Sequence, residues 1–367
     1  MKIAHVLSSV RIGGQERVAL DLSSGQRGAG HDVIVVSMEP PPDGPLAESF
    51  RARGVEVVRV AKRPGVDPTL TLRLAALFRR RGVGVVHTHN RMPLLYGAAA
   101  GKLAGAVVVH TRHGPGRGSA REQWLRRGAG RLLDAYVAVT AALDRLAREL
   151  RDCAPGKLTV IENGIDLSRF RPDEEARRTT RAALGIPAGA WVVGSVGRLA
   201  AEKDYPLLVR AVAPALGPDA HLVLVGDGAE AATIRAEVAA RNVGPFVHLP
   251  GSTSDASPFL ASLDVFALSS RMEGLPLVAL EAMATSLPIV VPAVGGLPEL
   301  VEEGVTGHLF PAGDEAALGA RLEALRADPE AARATGARGQ TQARARHSRE
   351  VMVERYLELY ARLGARA

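Results

Sequence analysis

The sequence predicts an α/β protein built from two doubly wound parallel sheets. Three observations predict it. Short apolar runs rich in β-branched residues alternate with helical stretches, the alternation restarts after Phe170, and 367 residues suffice for two domains at about 150 residues each. The runs are continuously apolar rather than alternating, which suits strands covered on both faces. Apolar residues make up 47% and charged residues 23%, an ordinary globular balance that excludes disordered and low-complexity classes.

In the first half, Lys2–Leu7, Asp32–Met38, Val55–Val60, Val83–His87, Ala106–Thr111, Ala135–Val139 and Leu158–Ile161 are expected strands. Gln15–Gly28, Thr69–Arg81, Leu94–Leu103, Glu122–Leu133 and Ala141–Leu150 are the helices between them. In the second half the expected strands are Trp191–Val196, His221–Val225, Val247–Leu249, Val265–Leu268, Ile289–Val291 and His308–Phe310. Leu207–Leu216, Ala229–Arg241, Pro258–Ser262, Leu277–Thr285, Leu297–Val301 and Glu315–Ala327 are the helices there. Between the halves, Glu162–Pro172 contains Gly164 and ends at its proline, which suits a hinge. Ser348–Leu363 starts with a Ser suited to an N-cap and carries Val351, Tyr356, Leu359, Tyr360 and Leu363 at helical spacing. The expected boundaries are therefore 1–165, 166–345 and a terminal helix over 346–367 that returns to the first domain.

One cysteine, Cys153, excludes an intrachain disulfide and a cysteine-built zinc site and fits a reducing compartment. No apolar run reaches the ~18 residues of a membrane span. The N-terminus reads as a first strand rather than a signal peptide, so a cytoplasmic protein is expected. Residues 1–165 carry 25 Lys+Arg against 14 Asp+Glu, and the remainder 21 against 25, so a +11 half and a −4 half make the net +7. The basic half suits an anionic substrate or membrane surface. Nucleic acid is disfavoured, because only 4% of residues are aromatic and no zinc-finger or RNA-binding signature is present.

Open parallel sheets bind ligands beyond the carboxyl ends of their strands. The chemistry-bearing motifs follow strands. Glu273-Gly-Leu-Pro-Leu-Val-Ala-Leu-Glu281 opens a helix and places two carboxylates about two turns apart. The first-turn N–H groups of Leu277 and Val278 lack intrahelical acceptors and, with the helix dipole, suit an anion. Gly274 and Leu275 allow backbone approach to a ligand. After Trp191–Val196, Arg198 and Lys203 can neutralise a diphosphate, or form only a surface salt bridge with Glu202 or Asp204.

The stretch Ser254–Asp314 resembles the retaining glycosyltransferases of family 4, enzymes of the two-domain GT-B fold. Gly13-Gly14-Gln15-Glu16, His87-Thr-His-Asn90, His113-Gly114, Asn163-Gly-Ile-Asp166 and Gly197-Arg198…Lys203 extend the resemblance over nearly the whole chain. The resemblance implies that two Rossmann-like domains face a cleft, the first binding an acceptor and the second a nucleotide-diphosphate sugar, UDP- or GDP-linked. It implies Glu281 on the ribose hydroxyls and Glu273 on the donor sugar, with His113 contacting that sugar and the acceptor zone. Arg198 and Lys203 become the diphosphate clamp. His89, Asn90 and Arg112 are the residues expected at the acceptor, a glycan or lipid-linked hydroxyl of exopolysaccharide or cell-envelope assembly. A front-face mechanism follows, in which the leaving phosphate takes the acceptor proton.

The chain shows no Asp-x-Asp metal motif, so no metal and no other cofactor is expected. Gly13 and Gly14 allow close backbone approach to phosphate or sugar, or form a plain turn. Gly97–Leu103 misses a P-loop by one residue and lacks its hydroxyl, and is expected to be a packed helix end. His87, His89, His110 and His113 invite a metal reading, but no H-E-x-x-H pattern or carboxylate partner accompanies them. The stretch Arg112–Arg131 carries six arginines interleaved with Trp124, Leu125, Leu132 and Leu133. It is either an interfacial strip on anionic lipid or a solvated helix packing its apolar side inward. Base contacts are expected from backbone near Leu249–Gly251. A dehydrogenase lacks its G-x-G-x-x-G here. A nucleotide-sugar epimerase of the GT-B fold and a non-catalytic sugar-nucleotide-binding protein remain the competing classes.

Overall fold

A computed structural model describes residues 1–365 of the chain. The chain divides into two compact units: Met1–Ile165 with the segment beginning at Arg349, and Asp166–Ser348.

The first unit runs β1 (Lys2–Leu7), α1 (Gly14–Gly28), β2 (Asp32–Ser37), α2 (Leu46–Ala52), β3 (Glu56–Arg59), α3 (Leu70–Arg81), β4 (Val85–His89), α4 (Arg91–Ala104), β5 (Val107–Arg112), α5 (Ala120–Gly130), β6 (Ala135–Ala138), α6 (Ala141–Glu149) and β7 (Leu158–Val160). Its seven strands pair in parallel in the order β3-β2-β1-β4-β5-β6-β7. The order reverses between β1 and β4, where Ile3 pairs with Val85 and His5 with His87. Ala4, Val6 and Val36 of the sheet are buried against Leu74 and Phe78 of α3.

The second unit runs α7 (Glu174–Ala183), β8 (Trp191–Val196), α8 (Tyr205–Val212), β9 (Ala220–Val225), α9 (Ala231–Ala240), β10 (Val247–Gly251), α10 (Ser257–Ser262), β11 (Val265–Ala267), α11 (Leu277–Ala284), β12 (Ile289–Pro292), α12 (Leu297–Leu300), β13 (His308–Phe310), α13 (Glu315–Ala327) and α14 (Pro329–Arg346). Its six strands are parallel in the order β10-β9-β8-β11-β12-β13, reversing between β8 and β11. Val193, Leu222 and Leu224 pack with Leu207, Leu208, Leu318 and Leu322. The last helix, α15 (Arg349–Arg362), packs against α1 of the first unit and buries Met352, Val353, Tyr356, Leu359 and Tyr360. At about 1.5–3 kcal/mol for each large apolar side chain buried, those residues bind the chain end firmly to the first unit.

The differences from the sequence reading have local causes. β4 extends to His89, so that histidine is a strand residue and Asn90 is the cap of α4. α4 begins at Arg91, three residues before the expected Leu94, because Pro93 falls in the first turn where no N–H is needed. α5 begins before the expected Glu122, since Ser119 and Glu122 form a reciprocal capping box. Three further helices, α2, α7 and α14, are not among the expected ones. α14 packs by small residues: a Cβ on Gly336 would fall on the Ser286 carbonyl oxygen.

Candidate functional site

In the second unit the loops leaving β8 and β11 carry the charged groups. Lys203 Nζ lies 2.6 Å from Glu273 Oε1, with the lysine side chain 20% and the glutamate 8% exposed. This pair stands at the strand-order reversal, where open parallel sheets bind their ligands. Ser269 at the end of β11 donates its hydroxyl to the Lys203 carbonyl at 2.8 Å, tying the two loops together. Gly274 accepts from the Gly296 N–H at 2.9 Å. Gly295 has φ +58° and a Cβ there would fall on the Glu273 carbonyl, so only glycine fits.

Glu273, Gly274 and Leu275 are buried and lead into α11, whose cap position is Pro276 and which has no side-chain cap. Leu277 and Val278 form its first turn, and Glu281 is half-buried on the same helix. Arg198 is 72% exposed and pairs with Glu202 at 2.5 Å. The Glu202 carboxyl is held below its ordinary range, first by its own backbone N–H and then by Arg198. Lys203, Glu273 and the start of α11 are thus brought together. Arg198 sits on the same loop but engages Glu202. Leu249 is half-buried on β10, two strands away from β8.

In the first unit the reversal lies between β1 and β4. Gly13 caps α1 in extended backbone, Gly14 is exposed, and the adjacent Gln15 accepts a hydrogen bond from Asn90 Nδ2. Asn90 has φ 60° and ψ −175°, a region nearly reserved for glycine that costs about 1–3 kcal/mol. Its Oδ1 accepts the His113 N–H at 3.2 Å, so the strained residue joins the start of α1 to the ends of β4 and β5.

Below it lies a row of histidines. His113 Nε2 is 3.0 Å from His89 Nδ1, His89 Nε2 is 3.0 Å from His5 Nδ1, and His5 Nε2 is 2.7 Å from Gln26 Oε1. His87 bonds Tyr360 OH and Thr111 Oγ1, each at 2.7 Å. Burial lowers His5 and His113 to about 4 and His110 to about 3, and pushes His87 and His89 well below the usual histidine range. All five are neutral imidazoles at pH 7. His5, His87 and His89 offer nitrogens within 4.8 Å of one another. Their nitrogens already have hydrogen-bond partners, which a metal ion would have to displace. His110 bonds Thr88 Oγ1 at 3.0 Å inside the sheet.

Arg112 is buried. Its guanidinium meets Asp152 Oδ2 at 2.6 Å and donates to the carbonyls of Gly114 at 3.0 Å and Gly116 at 2.8 Å. Arg126 meets the other Asp152 oxygen at 2.9 Å, and Tyr136 OH donates to Asp152 at 3.2 Å. Arg112 therefore holds the loop after His113 rather than presenting a free cation. The arginine strip divides: Leu133 is buried in the core and Leu125 half-buried, as expected of an apolar side packed inward, whereas Leu132 stays exposed and α5 turns Arg126 inward and leaves Trp124 71% exposed. The fully buried Asp152 supplies the charge partner that makes an inward arginine affordable. Arg117 pairs with Glu149 and Arg127 donates to the Leu150 carbonyl, which leaves Arg121 and Arg131 exposed beside Trp124 and Leu132. The P-loop-like Gly97–Leu103 lies within α4, where Cβ atoms on Gly97 and Gly101 would come within 2.7 Å of Thr88 and Val108.

Sequence reasoning missed His5, Gln26, Ser269 and Asp152. A histidine inside the continuous apolar run of β1 was the one local signal for the first of these.

Two family models match the chain: Glycosyltransferase Family 4 over residues 12–169 and Glycosyl transferases group 1 over residues 176–342. An alpha-maltose-1-phosphate synthase of Mycolicibacterium smegmatis is 32% identical over 77% of this chain and 79% of its own. A UDP-Gal:alpha-D-GlcNAc-diphosphoundecaprenol alpha-1,3-galactosyltransferase of Escherichia coli is 28% identical over 86% of this chain and 85% of its own. Among solved structures, Anabaena HepE in complex with UDP and glucose superposes with a TM-score of 0.89 at 22% identity, over 99% of this chain and 100% of that one.

Proposed function

The chain belongs to glycosyltransferase family 4, and from that premise we propose that it transfers a sugar from a UDP- or GDP-linked donor to a hydroxyl of a glycan or lipid-linked acceptor with retention of configuration. It is a nucleotide-sugar glycosyltransferase with two Rossmann-like units of the GT-B type. The observation that carries the proposal is the Lys203–Glu273 pair at the β8/β11 reversal beside the uncapped start of α11.

Each residue has a stated task. Lys203 and Arg198 take the diphosphate, with the N–H groups of Leu277 and Val278 completing the anion site. Glu281 accepts the ribose hydroxyl protons and Glu273 those of the sugar, each carboxylate being an acceptor with two oxygens. The backbone of Gly274 and Leu275, and that of Gly13 and Gly14, approaches the donor, while Leu249 lies toward the base. His113 supplies a neutral imidazole to a sugar hydroxyl. His89 and Asn90 line the acceptor region, and Arg112 acts there by holding the Gly114–Gly116 loop. The acceptor hydroxyl attacks on the face the nucleotide leaves, and the departing phosphate takes its proton. Two protein cations and a helix start offset the phosphate charge, so no metal is required.

A donor of this class is supported by the UDP and UDP-glucose complexes of HepE, and a lipid-linked acceptor by the name of the E. coli relative. None of the described helices is long and apolar enough to cross a membrane. The reading places the enzyme in the cytoplasm, meeting anionic lipid peripherally through Trp124, Arg121 and Arg131. The functional test is release of nucleoside diphosphate from a panel of UDP- and GDP-sugars, with and without acceptor, in excess EDTA. Transfer with retained anomeric configuration is expected. Interconversion of the donor sugar instead would make the protein an epimerase, binding without turnover a non-catalytic module, and rescue only by Mg²⁺ or Mn²⁺ would refute metal independence. Sedimentation with phosphatidylglycerol vesicles should fall with salt and with Trp124→Ala, and absence of any binding would remove the membrane contact.

A further inference from the structure

We propose that Gln26 is a positioning residue: through His5 and His89 its side-chain amide fixes the tautomer of His113, so that His113 Nδ1 is a hydrogen-bond acceptor for a sugar hydroxyl. The proposal rests on the assignment of His113 to the sugar. Its own content is the row of bonds that reaches His113 from inside the first unit.

A neutral imidazole has one N–H and one bare nitrogen. Gln26 Oε1 is an acceptor, so the His5 nitrogen 2.7 Å from it, Nε2, carries the proton. His5 Nδ1 is then bare and accepts from His89 Nε2 at 3.0 Å. His89 Nδ1 is bare in turn and accepts from His113 Nε2 at 3.0 Å. The proton on His113 is therefore on Nε2, and Nδ1 presents a lone pair. That atom is buried and has no hydrogen-bond partner among the described residues.

The polarity has a second anchor on α15. Gln26 Nε2 donates to Tyr360 OH at 3.5 Å, and Tyr360 OH donates to His87 Nδ1 at 2.7 Å. His87 Nε2 then donates to Thr111 Oγ1, also at 2.7 Å, and Thr111 donates to Tyr356 OH at 2.9 Å. One amide thus sets the direction of two rows. Turning it over would reverse every bond and leave at His113 a buried N–H without an acceptor, the rarest kind of orphan in folded proteins. The orientation adopted leaves a lone pair for a ligand hydroxyl to satisfy. A histidine whose other nitrogen is set by a fixed partner is held in one tautomer and one ring orientation.

The test reads the tautomer directly. In the full-length, ligand-free protein, ¹⁵N NMR of the histidine side chains should show His113 protonated at Nε2 and bare at Nδ1. Gln26→Leu should give a mixture of tautomers at His113 and lower kcat for sugar transfer by up to about 10-fold, the worth of one neutral hydrogen bond. Donor KM should change little, because the diphosphate and ribose contacts belong to the second unit. If Gln26→Leu does not fold, Tyr360→Phe keeps the ring and removes the hydroxyl that holds the amide, and should shift the same resonances. A wild-type His113 protonated at Nδ1 overturns the proposal. The two failures separate: full turnover in His113→Ala overturns the assignment of His113 to the sugar, whereas an unaltered His113 tautomer in Gln26→Leu overturns the role of Gln26 alone.

Discussion

Glu273→Gln should impair sugar transfer without weakening nucleotide binding. Glu273 holds Lys203 at 2.6 Å, so a diphosphate that recruits the lysine must compete with a nearly buried carboxylate. Glutamine removes the charge while keeping the shape and one oxygen. Lys203 is then released, and UDP or GDP alone should bind as well as to wild type or more tightly. Transfer should suffer, because the carboxylate no longer accepts the sugar hydroxyls. A hydrogen bond to a charged group is worth about 1.5–3 kcal/mol, which at ~1.4 kcal/mol per decade is about a 10- to 150-fold loss of kcat/KM. Glu281→Ala makes the contrast: losing the ribose partner should weaken the free nucleotide itself by the same range. Titration calorimetry with UDP and GDP, followed by donor turnover on the same preparations, reads both quantities. Loss of nucleotide binding in folded Glu273→Gln, or unchanged turnover, would refute the assignment of that carboxylate to the sugar.

Arg198→Lys should weaken diphosphate binding by about ten-fold, near the lower value for one charge-assisted bond, because an ammonium cannot reproduce the guanidinium fork; equal affinity in calorimetry would leave Arg198 as the surface partner of Glu202 only. Asp152→Asn strips the charge that faces Arg112 and Arg126, both nearly buried. Breaking a buried pair costs about 3–5 kcal/mol, which for a unit of this size lowers its melting temperature by about 6–20 °C; a shift under about 2 °C by calorimetry would show the cluster to be of little structural weight. Acid should destabilise the first unit between about pH 6.5 and 4. His5, His87, His89, His110 and His113 are all lowered by burial, so the unfolded chain binds their protons first. Their contribution is complete above pH 6.5 and fades as pH falls toward the folded values, at up to about 1.4 kcal/mol per pH unit per histidine. Urea titrations at pH 7 and pH 5 should show the drop, and a flat profile would contradict the neutral, buried row.

Much of the architecture was legible because parallel strands buried on both faces leave continuous apolar runs, as in β2 (DVIVVS), which lies within one residue of its expected end. The placement of the charged motifs beyond strand ends was legible for a related reason, since they directly follow such runs, whereas the strand order and its reversals came only with the structure. Helix α14 was not, because it packs through Thr335, Gly336 and Gly339 and has no apolar stripe to read. The orientation of α5 was hidden for a different reason. Apolar periodicity alone puts Trp124 inward, and only the position of Asp152, contributed from beyond α6, reverses it. The row from Gln26 to His113 joins residues up to 84 positions apart in one bond, and nothing local in either sequence neighbourhood encodes such a partner.

The discontinuity of the first unit has a consequence for how the protein is made. Tyr356 and Tyr360 close hydrogen bonds to Thr111 and His87, yet the ribosome adds the whole second unit before it reaches them. At about 5–20 residues per second, the seven-stranded sheet waits on the order of 10–40 s for its last helix. During that interval His87 and Gln26 lack their hydroxyl partner and the α1 face that α15 covers stays open to solvent. The second unit, continuous in the chain, has no such wait. Synthesis order and completion order are therefore reversed: the unit translated first is completed after the second, and the histidine row acquires its second anchor only once the whole second unit has been made.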